Sequence, residues 1–203
     1  MGKWIAIGCA GALILFLGVG GLMVMSSYNS LVALDQGVQS QWGQVENTYQ
    51  RRLDLIPNLV ETVKGAAAFE TDTFTAVTEA RAKVGQVSGE ALKNIVNDPA
   101  AFQKFEQAQQ GLSSALSRLM VVVEKYPDLK ATQNFRDLQA QLEGTENRIS
   151  VERMRFNDAA RAFNTKRNTF PTVIIAGLFG SKFTDKIYFH ADDGAKVAPK
   201  VKF

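Results

Sequence analysis

No charged side chain stands between Lys3 and Asp35, and from Trp4 to Met25 the chain is dominated by apolar residues and glycine. Roughly 22 uncharged positions exceed the ~20 that a helix needs to cross the hydrocarbon of a bilayer. The run is long for the apolar core of a secretion signal, and Ser26-Ser27-Tyr28 offers no small-x-small cleavage site. Residues 1–27 are therefore expected to be a retained anchor. Gly8-Cys9 is not a lipoprotein box, because the apolar run follows the cysteine instead of preceding it. Cys9 is the chain's one cysteine, which excludes an internal disulfide. Gly2, Ala6 and Ala10 lie four apart, as do Gly8 and Ala12, a spacing that lets spanning helices approach closely. Ordinary membrane-helix composition produces the same pattern. Lys3 and the amino terminus flank one end of the run; beyond the other end the first cation is Arg51. The positive-inside rule places the amino terminus in the cytoplasm and the remainder outside.

The anchor continues without a linker into a patterned stretch. Leu31, Leu34, Val38, Trp42, Val45, Tyr49, Leu53, Ile56, Val60, Val63 and Ala67 follow one another in steps of three and four. The pattern repeats every eleven residues, close to the natural turn of a helix, so one face stays buried with little supercoiling. Pro57 inside this spine removes a backbone donor and predicts a kink near Leu53-Asp54, or a break. Gly65 and Glu70-Thr71-Asp72 mark the end of the first helix and the cap of a second that carries Phe74, Val77, Ala80, Ala82 and Val84. Residues 88–97 are polar and looser, with Ile95-Val96 able to pack. Asp98-Pro99 starts a third helix with Phe102, Phe105, Ala108, Leu112, Ala115, Leu116, Leu119 and Val123 on one stripe, stopping at Tyr126-Pro127. A fourth, from about Ala131 to Asn168, carries Phe135, Leu138, Leu142, Ile149, Phe156, Ala160 and Phe163 and ends at Pro171.

The expected fold is all-α: an amino-terminal transmembrane helix continuing into a long antiparallel bundle of about four helices (28–170), then a short apolar and basic tail (171–203). In an up-down bundle the fourth helix returns toward the membrane that the first one left. Thr172 to Gly180 would then arrive near the bilayer, with Arg161, Lys166, Arg167, Lys182 and Lys186 where headgroups lie. Ile174, Ile175, Leu178, Phe179, Arg167 and Lys182 are the candidates for contact with membrane or with a second subunit; packing on the chain's own bundle is the third alternative. The same topology sets Arg52 opposite a position near 145. It predicts a polar network of Arg51, Arg52 and Asp54 with Glu143, Glu146 and Asn147, of the kind that fixes register more than it stabilises.

Chemistry is sparse. One histidine, His190, and no cysteine outside the anchor exclude the usual zinc sites and the thiol and serine triads. The Glu-x-x-His pairs of di-iron bundles are missing, and Gly177 and Gly180 sit in an apolar tail, not after a strand. No cofactor and no metal are expected, and the chain is not expected to be an enzyme. Basic and acidic residues nearly balance, 23 against 20, and aromatics are not interleaved with a basic stripe, which argues against a nucleic-acid partner.

Several stretches carry a family resemblance. Tyr28-Asn29-Ser30-Leu31-Val32, Trp42-Gly43-Gln44-Val45, the run from Gln50 to Gly65, Tyr126-Pro127-Asp128-Leu129-Lys130, Leu142 to Ile149, and the ending Ala198 to Phe203 resemble the LemA family of bacterial membrane proteins. Two departures are visible: Ala66-Ala67-Ala68-Phe69-Glu70 stands where the family usually has an aromatic and a histidine before the Glu, and Phe156-Asn157 replaces the more usual Tyr-Asn. The resemblance implies an amino-terminal membrane helix and an antiparallel bundle. Relatives are associated with membrane-envelope processes, one of them magnetosome building, and often accompany membrane metalloproteases of the HtpX type. Two functions are then expected. The first is a non-enzymatic scaffold, anchored in the bacterial cytoplasmic membrane, that self-assembles as a homo-oligomer and organises or shapes the bilayer. The alternative is an adaptor or regulator of an envelope metalloprotease.

Overall fold

A computed structural model describes residues 2–65, 71–87, 92 and 95–190; of residues 2–7 and 9 it describes the backbone alone. The tail beyond 190, the resembling ending from Ala198 to Phe203, and the departure at 66–70 lie outside the described residues. Among the described residues the structure is helical and strand-free. The α-helices are α1 (Gly2–Lys64), α2 (Thr71–Gln86), α3 (Pro99–Val123), α4 (Pro127–Lys130), α5 (Gln133–Asn168) and α6 (Thr172–Leu178). Short 3-10 turns cover Ile95–Asn97 and Gly180–Phe183. Two compact units form, one from Met1–Ser40 with Asp158–Lys186, the other from Gln41–Asn157 with Ile187–Phe203.

In the larger unit the eleven-residue spine of α1 faces inward: Trp42, Val45, Tyr49, Leu53, Ile56 and Val63 are buried. Leu59, off the expected stripe, is fully buried, while Val60 is only half-buried. α1 passes through Pro57 unbroken. The proline has no N–H to give the Leu53 carbonyl one turn back. Arg81 Nε of α2 donates to that oxygen at 3.4 Å instead. α2 buries Phe74, Val77 and Val84, whereas Ala82, expected inside, is exposed. The Asp98 carboxylate caps α3 by accepting from Ala100 N at 2.9 Å and Ala101 N at 3.1 Å, with Pro99 where a missing N–H costs nothing.

Trp42 lies against Phe156 and Arg52 against Glu146, so ten residues forward on α1 match ten backward on α5. These two helices are antiparallel in constant register. α1 and α3 run parallel, as Trp42 meets Phe102 and Arg52 meets Gln109. One core cluster joins Leu53 and Ile56 of α1, Val77 of α2, Leu112 and Leu119 of α3, and Phe135 and Leu142 of α5. Above it Trp42, Phe102, Phe105, Phe156 and Phe189 pack ring to ring, largely tilted or edge-on, with Trp42–Phe105 at 5.3 Å and Phe102–Phe189 at 4.8 Å. The Asn157 side chain holds the last of these rings in place. Its Nδ2 donates to Phe189 O at 2.9 Å and its Oδ1 accepts from Phe189 N at 2.8 Å.

In the smaller unit Leu13 through Met25 of α1 are exposed apart from a half-buried Gly20. Past Ser26 burial begins: Leu31 and Val38 of α1 are fully enclosed, as are Ala160 and Phe163 of α5. The first part of the apolar and basic tail folds into α6 and a 3-10 turn. Gly180 opens that turn with φ +51°, a left-handed conformation open to glycine at no steric cost.

Candidate functional site

Two polar constellations interrupt the apolar packing, one in each unit. In the larger unit the Arg52 guanidinium is 1% exposed on the inward face of α1. Its Nη1 donates to Glu146 Oε1 at 2.7 Å and to Ser113 Oγ at 3.0 Å, and its Nη2 donates to Gln109 Oε1. The cation also lies 5.1 Å from the centroid of the Tyr49 ring. Burial pushes the Tyr49 phenol above its ordinary value, against the opposing pull of the Arg153 and Arg52 charges. A cleft of about 480 Å³ opens here between α1, α3 and α5, with Arg52, Gln109 and Glu146 among its walls. Arg153 and Glu106 face each other across it at 3.7 Å.

Of the residues expected in this network, Arg52 and Glu146 meet. Arg51, Asp54, Glu143 and Asn147 point outward into solvent. The reason is helical geometry: Arg51 and Asp54 lie about 100° and 200° around α1 from Arg52, so all three cannot share one face. Asp54 accepts from Gln50 at 2.8 Å and Glu143 from Gln139 at 2.9 Å, local pairs along their own helices. The missing partners come from α3, where Gln109 is buried and Ser113 half-buried. The cleft offers hydrogen-bond exchange and charge pairing. Among the described residues no three His, Cys, Asp or Glu side chains come together as metal ligands.

In the smaller unit Lys186 Nζ reaches Asp35 Oδ1 at 2.5 Å, its side chain fully buried and its ammonium 4.7 Å from the Phe163 ring centroid. Lys186 was expected among headgroups; it lies in the core instead, because Asp35 and the Phe163 ring compensate its charge there. Asn164 holds the same residue by its backbone, donating from Nδ2 to Lys186 O at 2.9 Å and accepting from Lys186 N at 2.7 Å. Arg167 is half-buried, donating to Phe183 O at 2.5 Å and pairing with Asp185 at 3.1 Å. Lys182 is exposed and donates to the Tyr28 hydroxyl at 2.5 Å. Of the apolar tail candidates, Ile174, Leu178 and Phe179 are exposed, and Ile175 turns inward at 4% exposure.

The profile described as the LemA family matches residues 41–203. The chain belongs to the LemA family. Relatives of this LemA protein include "Magnetosome protein MamQ" of Magnetospirillum gryphiswaldense, 27% identical over 195 residues, covering 88% of the chain and 71% of the relative. "Magnetosome protein MamQ 2" of Paramagnetospirillum magneticum is 28% identical, with 78% and 64% covered. "Protein LemA" of Metamycoplasma hominis is 24% identical, with 80% and 69% covered. The chain thus spans about two thirds of the length of the relatives it matches. Together with one helix long and apolar enough to cross a bilayer, these matches describe a membrane-associated protein of LemA type.

The residues missed in sequence carry weak signals. Gln109 stands at a stripe position between Phe105 and Leu112, and Asn164 lies one turn past Ala160 on the inner face of α5. An amide on an apolar stripe is a hint of a buried partner. Naming that partner, here Arg52 or Lys186, requires the register of another element.

Proposed function

We propose that this LemA chain is a non-enzymatic scaffold, anchored in the bacterial cytoplasmic membrane, that self-assembles laterally through its apolar helix. The observation that carries the reading is the state of that helix. Its large apolar residues face outward, and an added Cβ at Gly8, Gly11 or Gly18 meets nothing within 4 Å. In water such a surface is untenable; in a bilayer, small residues on an open face let a second helix approach until backbones touch. The flanking charges orient the amino terminus to the cytoplasm and the bundle to the outside. A relative named as a magnetosome protein fits a role in organising membrane.

Native-lipid nanodiscs of the full chain, counted by single-molecule photobleaching, test the proposal. Oligomers that persist on dilution are expected, and Gly11→Ile together with Gly18→Ile should shift them toward monomer. A strict monomer in native lipid overturns self-assembly.

A further inference from the structure

The sequence of α6, Thr-Val-Ile-Ile-Ala-Gly-Leu, is apolar all round, yet only one side of it is enclosed. Thr172, Ile175 and Ala176 are buried; Val173 and Ile174 are exposed, as is Leu178 at 76%. Phe170, at the position before Pro171, is 75% exposed. Val173, Ile174 and Leu178 fall within about 140° of one another around α6, and the exposed Phe170 ring precedes the helix. A helix that simply covers a soluble core shows polar residues on its outer stripe. Large apolar side chains left open in this way mark a surface made to meet something.

What it meets is indicated by the position of α6 within its unit. Tyr28 follows the apolar run of α1 by three residues, and its ring lies 4.8 Å from that of Phe179 and 5.5 Å from that of Phe183. Lys182 Nζ, hydrogen-bonded to the Tyr28 hydroxyl, sits 4.9 Å from the Tyr28 ring centroid. α6 is therefore pinned at the height where the apolar run of α1 ends. Tyrosine is enriched at that depth of a bilayer, and lysine reaches from it toward headgroups.

We propose that α6 is an interfacial foot, lying in the headgroup–acyl boundary of the bilayer that α1 crosses, with Phe170, Val173, Ile174 and Leu178 inserted in lipid. This rests on the reading of α1 as a span and adds a second point of attachment in a single leaflet. A helix held about 5–10 Å deep displaces lipid on one side only, so its binding responds to curvature. The exposed Lys182 beside Tyr28 favours an anionic headgroup over a neutral one.

The test uses the full chain carrying Cys9→Ser, reconstituted in vesicles of phosphatidylethanolamine and phosphatidylglycerol. A nitroxide is attached in turn through Leu178→Cys, Phe170→Cys and Val19→Cys. Power saturation compares collision with oxygen, which partitions into lipid, and with a water-soluble nickel chelate. All three labels should collide several-fold more often with oxygen than with nickel. A Leu178 label open to nickel, or shielded from both reagents as under a second copy of the chain, overturns the foot while Val19 still reports the span. A Val19 label open to nickel overturns the span and the foot together. Replacing phosphatidylglycerol with phosphatidylcholine should raise nickel access at Leu178; no change overturns the headgroup preference.

Discussion

Lys186 Nζ and Asp35 Oδ1 stand 2.5 Å apart, bringing the first acidic residue after the anchor against a lysine more than 150 positions away. The lysine side chain is fully buried, while that of Asp35 keeps 24% exposure. Losing Asp35 takes the carboxylate away from a fully buried ammonium; losing Lys186 leaves a carboxylate with water in reach. Asp35→Asn should therefore cost about 3–5 kcal/mol. Lys186→Met keeps the stem against Phe163 and should cost less. Urea unfolding of the detergent-solubilised chain reads both, and an Asp35→Asn cost below that of Lys186→Met refutes the asymmetry.

The Arg52 cluster predicts a second asymmetry. Glu146→Gln leaves Arg52 its Ser113 and Gln109 acceptors and the Tyr49 ring, and the new amide oxygen still accepts from Nη1, so it should cost only about 1 kcal/mol. Arg52→Ala leaves a cavity and unpairs Gln109, which is buried, and should cost about 3 kcal/mol or more. Gln109→Leu should fall between, since it removes one acceptor of the buried cation. A double-mutant cycle on Arg52 and Glu146 with zero coupling would dissolve the pair as an energetic unit.

Pro57 and Arg81 should be thermodynamically linked. In the wild type Arg81→Ala unpairs the Leu53 carbonyl and should cost about 0.5 kcal/mol, because the side chain is exposed and the 3.4 Å contact is long. With Pro57→Ala the helix supplies its own N–H, and Arg81→Ala should become neutral. Equal losses in the two backgrounds would show that Arg81 acts elsewhere.

Tyr49 predicts an alkaline effect. Its phenol is pushed above the ordinary 10.0, so the folded state favours the neutral form. That stabilisation is whole below pH 10 and is lost as pH rises from there through the folded value. The loss approaches about 1.4 kcal/mol per pH unit. Tyr49→Phe removes the component, so its stability curve should flatten relative to wild type above pH 10. Parallel curves would contradict the burial effect.

Local periodicity settled much of this protein in advance. The charge-free run, the eleven-residue spine, the Asp98-Pro99 start and the antiparallel pairing of α1 with α5 are legible because each depends on neighbours within a turn or two, or on chain reversal alone. The Arg52–Glu146 contact follows from that reversal once a register is assumed. Tertiary structure decided the rest. Gln109 and Ser113 reach Arg52 because α1 and α3 lie parallel, and Lys186 is buried because an extended segment returns along α5 to Asp35. Which side of α6 stays open depends on how Ile175 and Ala176 dock. Such contacts join residues that are remote in sequence, and a one-residue change of register turns a different side chain inward; no local pattern carries that information.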